Sequence, residues 1–151
     1  MITNSDREIF SSRKLNAPLE IVYQAFSNPE HLKKWWGPEG FTNTFHQFDL
    51  QPGGSWVLTM HGPEKGNYEN KSVFKTVEPL KRITWQRISK PLFQMEVGFE
   101  KLDNSITMIS FRMIFETAEE CAKIKPYAGP KNEENFDRLE RVLQQMAAGQ
   151  N

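Results

Sequence analysis

From Phe41 onward the apolar residues of this 151-residue chain recur with a period of 2, in six runs cut by short turn clusters, and near the C-terminus the period becomes 3.6. The runs cover 44–50, 55–61, 68–77, 81–88, 92–101 and 106–116. Between them stand Pro52-Gly53-Gly54, Gly62-Pro63-Glu64-Lys65-Gly66, Glu78-Pro79-Leu80, Ser89-Lys90-Pro91 and Asp103-Asn104-Ser105. Connections this short join antiparallel neighbours, because a parallel crossover needs a dozen residues or more. The pattern predicts an antiparallel meander of six strands. Residues 8–15, rich in strand formers and stopped by Asn16-Ala17-Pro18, supply a seventh.

Helical signals flank the meander. Asn16 is placed to cap a first helix with Pro18 in its opening turn and Ile21, Val22, Ala25 and Phe26 on one side. Ser27-Asn28-Pro29-Glu30 repeats that punctuation, and a second short helix is expected over 29–36, with Leu32, Trp35 and Trp36 at helical spacing before Gly37-Pro38-Glu39-Gly40. Phe136, Leu139, Val142, Leu143 and Met146 form an apolar stripe on a last helix expected over 132–148, with Asn132 as its cap and Glu133 and Glu134 in its first turn. An amphipathic helix needs something to cover. The expected fold is therefore α+β: a curved antiparallel sheet of about seven strands wrapped around a long C-terminal helix, two short helices after the first strand, and one domain over 1–151.

Composition removes several classes of function. Nineteen Lys and Arg balance nineteen Asp and Glu, and no segment is basic enough to track a phosphate backbone, so nucleic acid is not an expected partner. A single cysteine, Cys121, rules out an internal disulfide and a multi-thiolate zinc site. The N-terminal residues are polar where a signal peptide is apolar, and no run reaches the ~18 apolar residues of a membrane span. The expected location is the cytoplasm, with no membrane insertion.

The aromatic content is 12%, with eleven Phe and four Trp. Alternation places Trp56, Leu58 and Met60 on one strand face and Ile109, Phe111, Met113 and Phe115 on another; Phe74, Trp85, Phe93, Met95, Val97 and Phe99 add to the same inner surface. Rings and thioethers there make either a filled core or the lining of a promiscuous apolar site. The candidate lining is Trp36, Trp56, Met60, Phe74, Trp85, Phe93, Met95, Phe111, Met113, Phe136 and Leu139. His46, Glu96 and Arg112 are the polar candidates, since an ionisable group buried among rings becomes an acid, a base or an anchor.

Catalytic signatures are sparse. His31, His46 and His61 do not fall at metal-ligand spacing, and neither a G-x-S-x-G elbow nor a phosphate loop occurs. Cys121, following Glu119-Glu120, reads as an inert thiol. No metal, cofactor or catalytic residue is expected.

Residues 16–26, Asn-Ala-Pro-Leu-Glu-Ile-Val-Tyr-Gln-Ala-Phe, and then Asn28-Pro29-Glu30-His31-Leu32-Lys33-Lys34-Trp35-Trp36-Gly37-Pro38 resemble the opening of the START-like (SRPBCC) superfamily, in the branch related to the C-terminal domain of the heat-shock protein 90 ATPase activator. Gln51-Pro52-Gly53-Gly54-Ser55-Trp56, Pro79-Leu80-Lys81-Arg82-Ile83-Thr84-Trp85 and Phe136-Asp137-Arg138-Leu139 match further signatures. The resemblance implies a helix-grip fold with a deep apolar cavity that holds lipids, polyketides or other small hydrophobic molecules. Two departures stand out: Thr76 and Val77 precede Pro79-Leu80 where many relatives carry an acid and Pro-Pro, and Asn132-Glu133 replaces a Gly-Trp pair. The leading expectation is binding of a small hydrophobic or amphipathic ligand. A chaperone-associated interaction domain and a polyketide cyclase or lyase are the alternatives the resemblance implies, and sheet edges with an exposed helix rim allow a homodimer.

Overall fold

The computed structural model describes residues 6–149; residues 1–5, part of the stretch on which the leader expectation rests, and residues 150–151 lie outside it. Strand β1 (Glu8–Leu15) is followed by α1 (Leu19–Ser27) and α2 (Pro29–Trp35). Then come β2 (Thr42–Phe48), β3 (Ser55–His61), β4 (Asn67–Glu78), β5 (Arg82–Arg87), β6 (Gln94–Asp103), β7 (Ile106–Ile114) and the C-terminal helix α3 (Ala118–Ala147). The seven strands form one antiparallel sheet in the order β1-β7-β6-β5-β4-β3-β2. The expected meander is present, and the first strand closes it against β7.

Two β-bulges decide which rings face inward. A bulge between Phe45 and Gln47 shifts the alternation of β2, so that Phe45 and Phe48 both reach Trp56, each with ring centroids 5.7 Å away. A second bulge between Phe74 and Thr76 does the same for Phe74 and Val77, both of which belong to the core side of β4. The turn leading into β3 is tight for a different reason: a Cβ on Gly54 would stand 2.0 Å from the Asp49 carbonyl oxygen, so only glycine fits the Pro52-Gly53-Gly54 signature there.

The caps differ from the sequence expectation at two of three helices. Pro18, not Asn16, occupies the N-cap of α1, with φ −62°, and its carbonyl accepts from Ile21 and Val22 N–H at 3.1 Å each. Proline's fixed φ supplies that geometry without a side-chain bond. Asn28 does cap α2, its Oδ1 accepting from Glu30 N–H at 2.9 Å. Asn132 does not cap α3. The helix is capped fifteen residues earlier, by Thr117, whose hydroxyl accepts from Glu120 N–H at 3.1 Å.

Thr117-x-x-Glu120 is a capping-box pattern, but Pro126, Gly129 and Pro130 obscure the helix that follows it. The prolines are tolerated because both are exposed, so the carbonyls left unpaired one turn earlier can bond to water. With this longer helix the apolar stripe runs from Cys121 through Ala128 to Leu139 and Leu143.

Arg13 ties the edge strand β1 to α3. Its guanidinium bonds to Asp137 and Glu140 at 2.6 Å and Glu133 at 2.7 Å, and lies 5.5 Å from the centre of the Phe136 ring. Burial works against this charge, but hydrogen bonds to the three carboxylates outweigh it and hold the guanidinium above its ordinary pKa.

Candidate functional site

The sheet and α3 enclose two different environments. At one end the aromatic residues pack ring against ring. Trp56 stacks on Phe74 with centroids 6.1 Å apart, meets Trp85 edge-on at 5.1 Å, and Phe26 from α1 covers Trp85 at 5.8 Å. Phe111 meets Phe136 of α3 at 4.7 Å. Trp35 seals this end from α2, anchored by its indole N–H donating to the Ala25 carbonyl at 2.9 Å.

At the other end a cavity of about 380 Å³ remains, at the lower end of the ~300–1,000 Å³ typical of small-molecule sites. The sheet contributes Met60 from β3, Met95 from β6 and Met113 from β7, and the loop before β6 contributes Pro91 and Phe93. Trp36, Gly37 and Pro38 form one wall. The N-terminal half of α3 forms the roof with Ile124, Tyr127, Ala128, Lys131, Asn132 and Asn135. A neighbouring recess of about 450 Å³ lies across Pro91 and Ile124, which line both, and is floored by Phe115.

The fourteen residues singled out from the sequence therefore separate into three groups. Trp36, Met60, Phe93, Met95 and Met113 line the cavity. Trp56, Phe74, Trp85, Phe111, Phe136 and Leu139 do not; they are buried in the packed end. Trp36 is the partition between the two, with its ring 5.2 Å from Trp56 and 5.8 Å from Phe111.

His46, Glu96 and Arg112 occupy the opposite, convex face. His46 Nε2 is 2.8 Å from Thr59 Oγ1, which donates to Glu69 at 2.7 Å, and Thr59 alternates with the inward Leu58 and Met60. Arg112 Nε lies 3.8 Å from Glu96 and its Nη1 3.7 Å from Glu8, while the guanidinium covers Phe10 at 5.3 Å. Glu96 alternates with Met95 and Val97 for the same reason. These three side chains form cross-strand polar contacts and are not brought into the cavity.

What sequence reasoning missed is the roof. Asn132 donates from Nδ2 to Ser11 Oγ at 3.3 Å and to the Met113 sulfur at 3.8 Å. Asn135 is buried as well, and among the described residues its Oδ1 has no hydrogen-bond partner. The i, i+3, i+4 spacing 121, 124, 128, 132, 135, 139 connects both to the apolar stripe, and that spacing is the signal that would have found them.

Two arginines shape the walls. Arg138 donates to the carbonyls of Trp36, Gly37 and Pro38 from Nη1 and of Lys34 and Phe41 from Nη2, all between 2.8 and 3.1 Å. Arg87 donates to the Ser89 and Lys90 carbonyls at 3.0 Å and to Asn70 Oδ1, and lies 5.8 Å from the Phe93 ring centre. Burial pushes the Arg87 guanidinium down to about 10, which leaves it charged at neutral pH. Burial likewise raises the Cys121 thiol, consistent with an unreactive side chain.

Among the described residues the lining contains no carboxylate or histidine, so its chemistry is that of an apolar container with two amides, one lysine and one phenol at hand. Among the described residues no group of three or more His, Cys, Asp or Glu side chains is placed to hold a metal, and no helix is long and apolar enough to cross a membrane.

A family model described as "Activator of Hsp90 ATPase homolog 1-like protein" matches residues 16–144. No curated protein sequence matches significantly. Among solved structures, a Nitrosomonas europaea protein is similar with a TM-score of 0.86 and 20% identity, covering 97% of this chain and 99% of that one. An Arthrobacter aurescens protein gives 0.84 and 19%, covering 96% and 90%. An AHSA1-like protein from Aeromonas hydrophila gives 0.70 and 19%, covering 93% and 94%. At these identities the likeness establishes the fold alone.

Proposed function

We propose, from the premise that the chain belongs to the Activator of Hsp90 ATPase homolog 1-like family of the START-like superfamily, that it binds a small hydrophobic or amphipathic molecule between sheet and C-terminal helix. The observation that carries this reading is the cavity of about 380 Å³ walled by three methionines, Trp36 and Phe93. Thioethers and large rings adapt to apolar ligands at little cost in strain. A two-ring molecule buries on the order of 200 Å², as a large aromatic side chain does. At ~25 cal/mol per Å² that is about 5 kcal/mol, which corresponds to a sub-millimolar Kd. Calorimetric titration with 2-naphthol is expected to show one saturable site in that range. Substituting Met113→Trp, which fills the cavity from its floor, is expected to weaken binding at least tenfold while the far-UV spectrum is retained. Equal binding by both proteins would contradict the reading.

The family description favours a second reading, action on a heat-shock protein 90 ATPase. Its test is steady-state ATP hydrolysis by a purified chaperone of that class with and without this protein. Stimulation that survives in the Met113→Trp variant would assign the activity to the outer surface.

A further inference from the structure

The cavity and the neighbouring recess meet at Pro91 and Ile124, which line both. Beneath that junction Phe93, on the cavity side, and Phe115, on the recess side, stand with ring centroids 5.3 Å apart, so aromatic surface runs from one hollow to the other. Large apolar side chains are left open on both sides of the crossing: Leu92 on the recess is 40% exposed and Tyr127 on the cavity 65%. The charges around this track are uneven. Lys90 and Lys123 line the recess and Lys131 the cavity, against one carboxylate, Glu120. Lys123 has Glu119 at 3.8 Å, whereas Lys90 has no carboxylate partner among the described residues, and its backbone is held in place by Arg87, which donates to its carbonyl at 3.0 Å.

We propose that the ligand is an elongated amphipathic anion: its apolar end lies among Met60, Met95 and Met113, its chain crosses between Pro91 and Ile124 over the Phe93 and Phe115 rings, and its charged group rests at Lys90 and Lys123. The proposal rests on the ligand-binding reading above and narrows it to a length and a charge. An anion is favoured because lysines outnumber carboxylates along the track, and Glu120 lowers that excess without reversing it. Its charged group belongs in the recess, which carries two of the three lysines, one of them unpaired. Both lysines are exposed, so the anionic group keeps its contact with water while the chain is buried, and the cost of desolvating a charge is avoided. Leu92 and Lys90 thereby become determinants of ligand length and charge, and neither borders the cavity itself.

The test uses three probes: 2-naphthol, which the cavity alone can hold; decanoate, which is long enough to cross; and 1-decanol, the same chain without the charge. Leu92→Glu places a carboxylate in the recess at an exposed position, where folding is not at stake. Calorimetry is expected to show decanoate weakened about tenfold in this variant, with 2-naphthol within about twofold of the wild type. The double variant Lys90→Gln/Lys123→Gln is expected to weaken decanoate about fivefold and to leave 1-decanol unchanged, while Lys131→Gln leaves both as they are. Independently of any variant, the Leu92 methyl signals in ¹³C-labelled wild-type protein should move with decanoate and stay still with 2-naphthol. Leu92 methyls unmoved at saturating decanoate, or decanoate binding untouched by both recess variants while 2-naphthol binds, would overturn the crossing and leave the cavity reading standing. Equal losses of decanoate and 1-decanol in the double lysine variant would overturn the anionic end. Failure of 2-naphthol and decanoate alike to bind the wild type would overturn the cavity reading and this proposal with it.

Discussion

Arg138→Met is expected to cost roughly 3 kcal/mol of stability and to weaken 2-naphthol binding by an order of magnitude or more. The side chain spans from α3 to five carbonyls around residues 34–41, and three of those belong to the wall residues Trp36, Gly37 and Pro38. Without it the carbonyls lose charge-assisted donors in a part-buried setting. The wall is already closely fitted: Gly37 has φ +97° and a Cβ there would stand 2.7 Å from the Met60 methyl. Arg141→Met is the contrasting substitution, since Arg141 makes an exposed ion pair to Glu39 at 2.5 and 2.7 Å. Such pairs contribute about 0–1 kcal/mol. Urea unfolding of the two variants checks the difference, and similar losses in both would contradict the assignment of Arg138 as the brace of the cavity wall.

Trp56→Ala is expected to destabilise by about 3–5 kcal/mol, the range for a large ring removed from a packed interior. Its indole touches Trp36, Trp85, Phe45, Phe48 and Phe74 with centroids 5.1 to 6.1 Å away, so truncation leaves a hole that several rigid rings border and cannot close. Met60→Ala, on the same strand face two turns of the pleat away, is expected to cost below about 2 kcal/mol, because part of its surface already borders open space. Thermal unfolding of both variants separates packed from lining positions. Equal losses would mean that the division of the interior into a filled end and an open end is wrong.

That division is where the sequence stopped being informative. Alternation identified the inner face correctly for Trp56, Phe74, Trp85, Met95, Phe111 and Met113, because period 2 fixes which side of a sheet a residue occupies. It carries no information on whether the facing volume is occupied. The occupants are Phe26 and Trp35, contributed by two short helices whose docking depends on long-range contacts such as the Trp35 bond to Ala25.

The polar candidates illustrate the opposite case. Alternation alone already set Glu96 against Met95 and Arg112 against Phe111, so their outward placement was legible, and an inward role required ignoring the period. The first half of α3 was concealed by Pro126 and Pro130, whose cost is small only because they face solvent, a fact of tertiary placement. With that half-helix hidden, Asn132 looked like a cap, and the apolar stripe was read only from Phe136 onward, which left out Asn135 beside it.

The most direct measurement is a titration of protein labelled at the methionine methyl carbons, followed by NMR with 2-naphthol as the probe. The chain has six methionines, of which Met60, Met95 and Met113 line the cavity while Met108 and Met146 do not. The three lining methyl signals are expected to shift together along one saturation curve, with Met108 and Met146 unmoved. Shifts confined to Met108 or Met146, or no shift at any methionine up to the solubility limit of the probe, would contradict it.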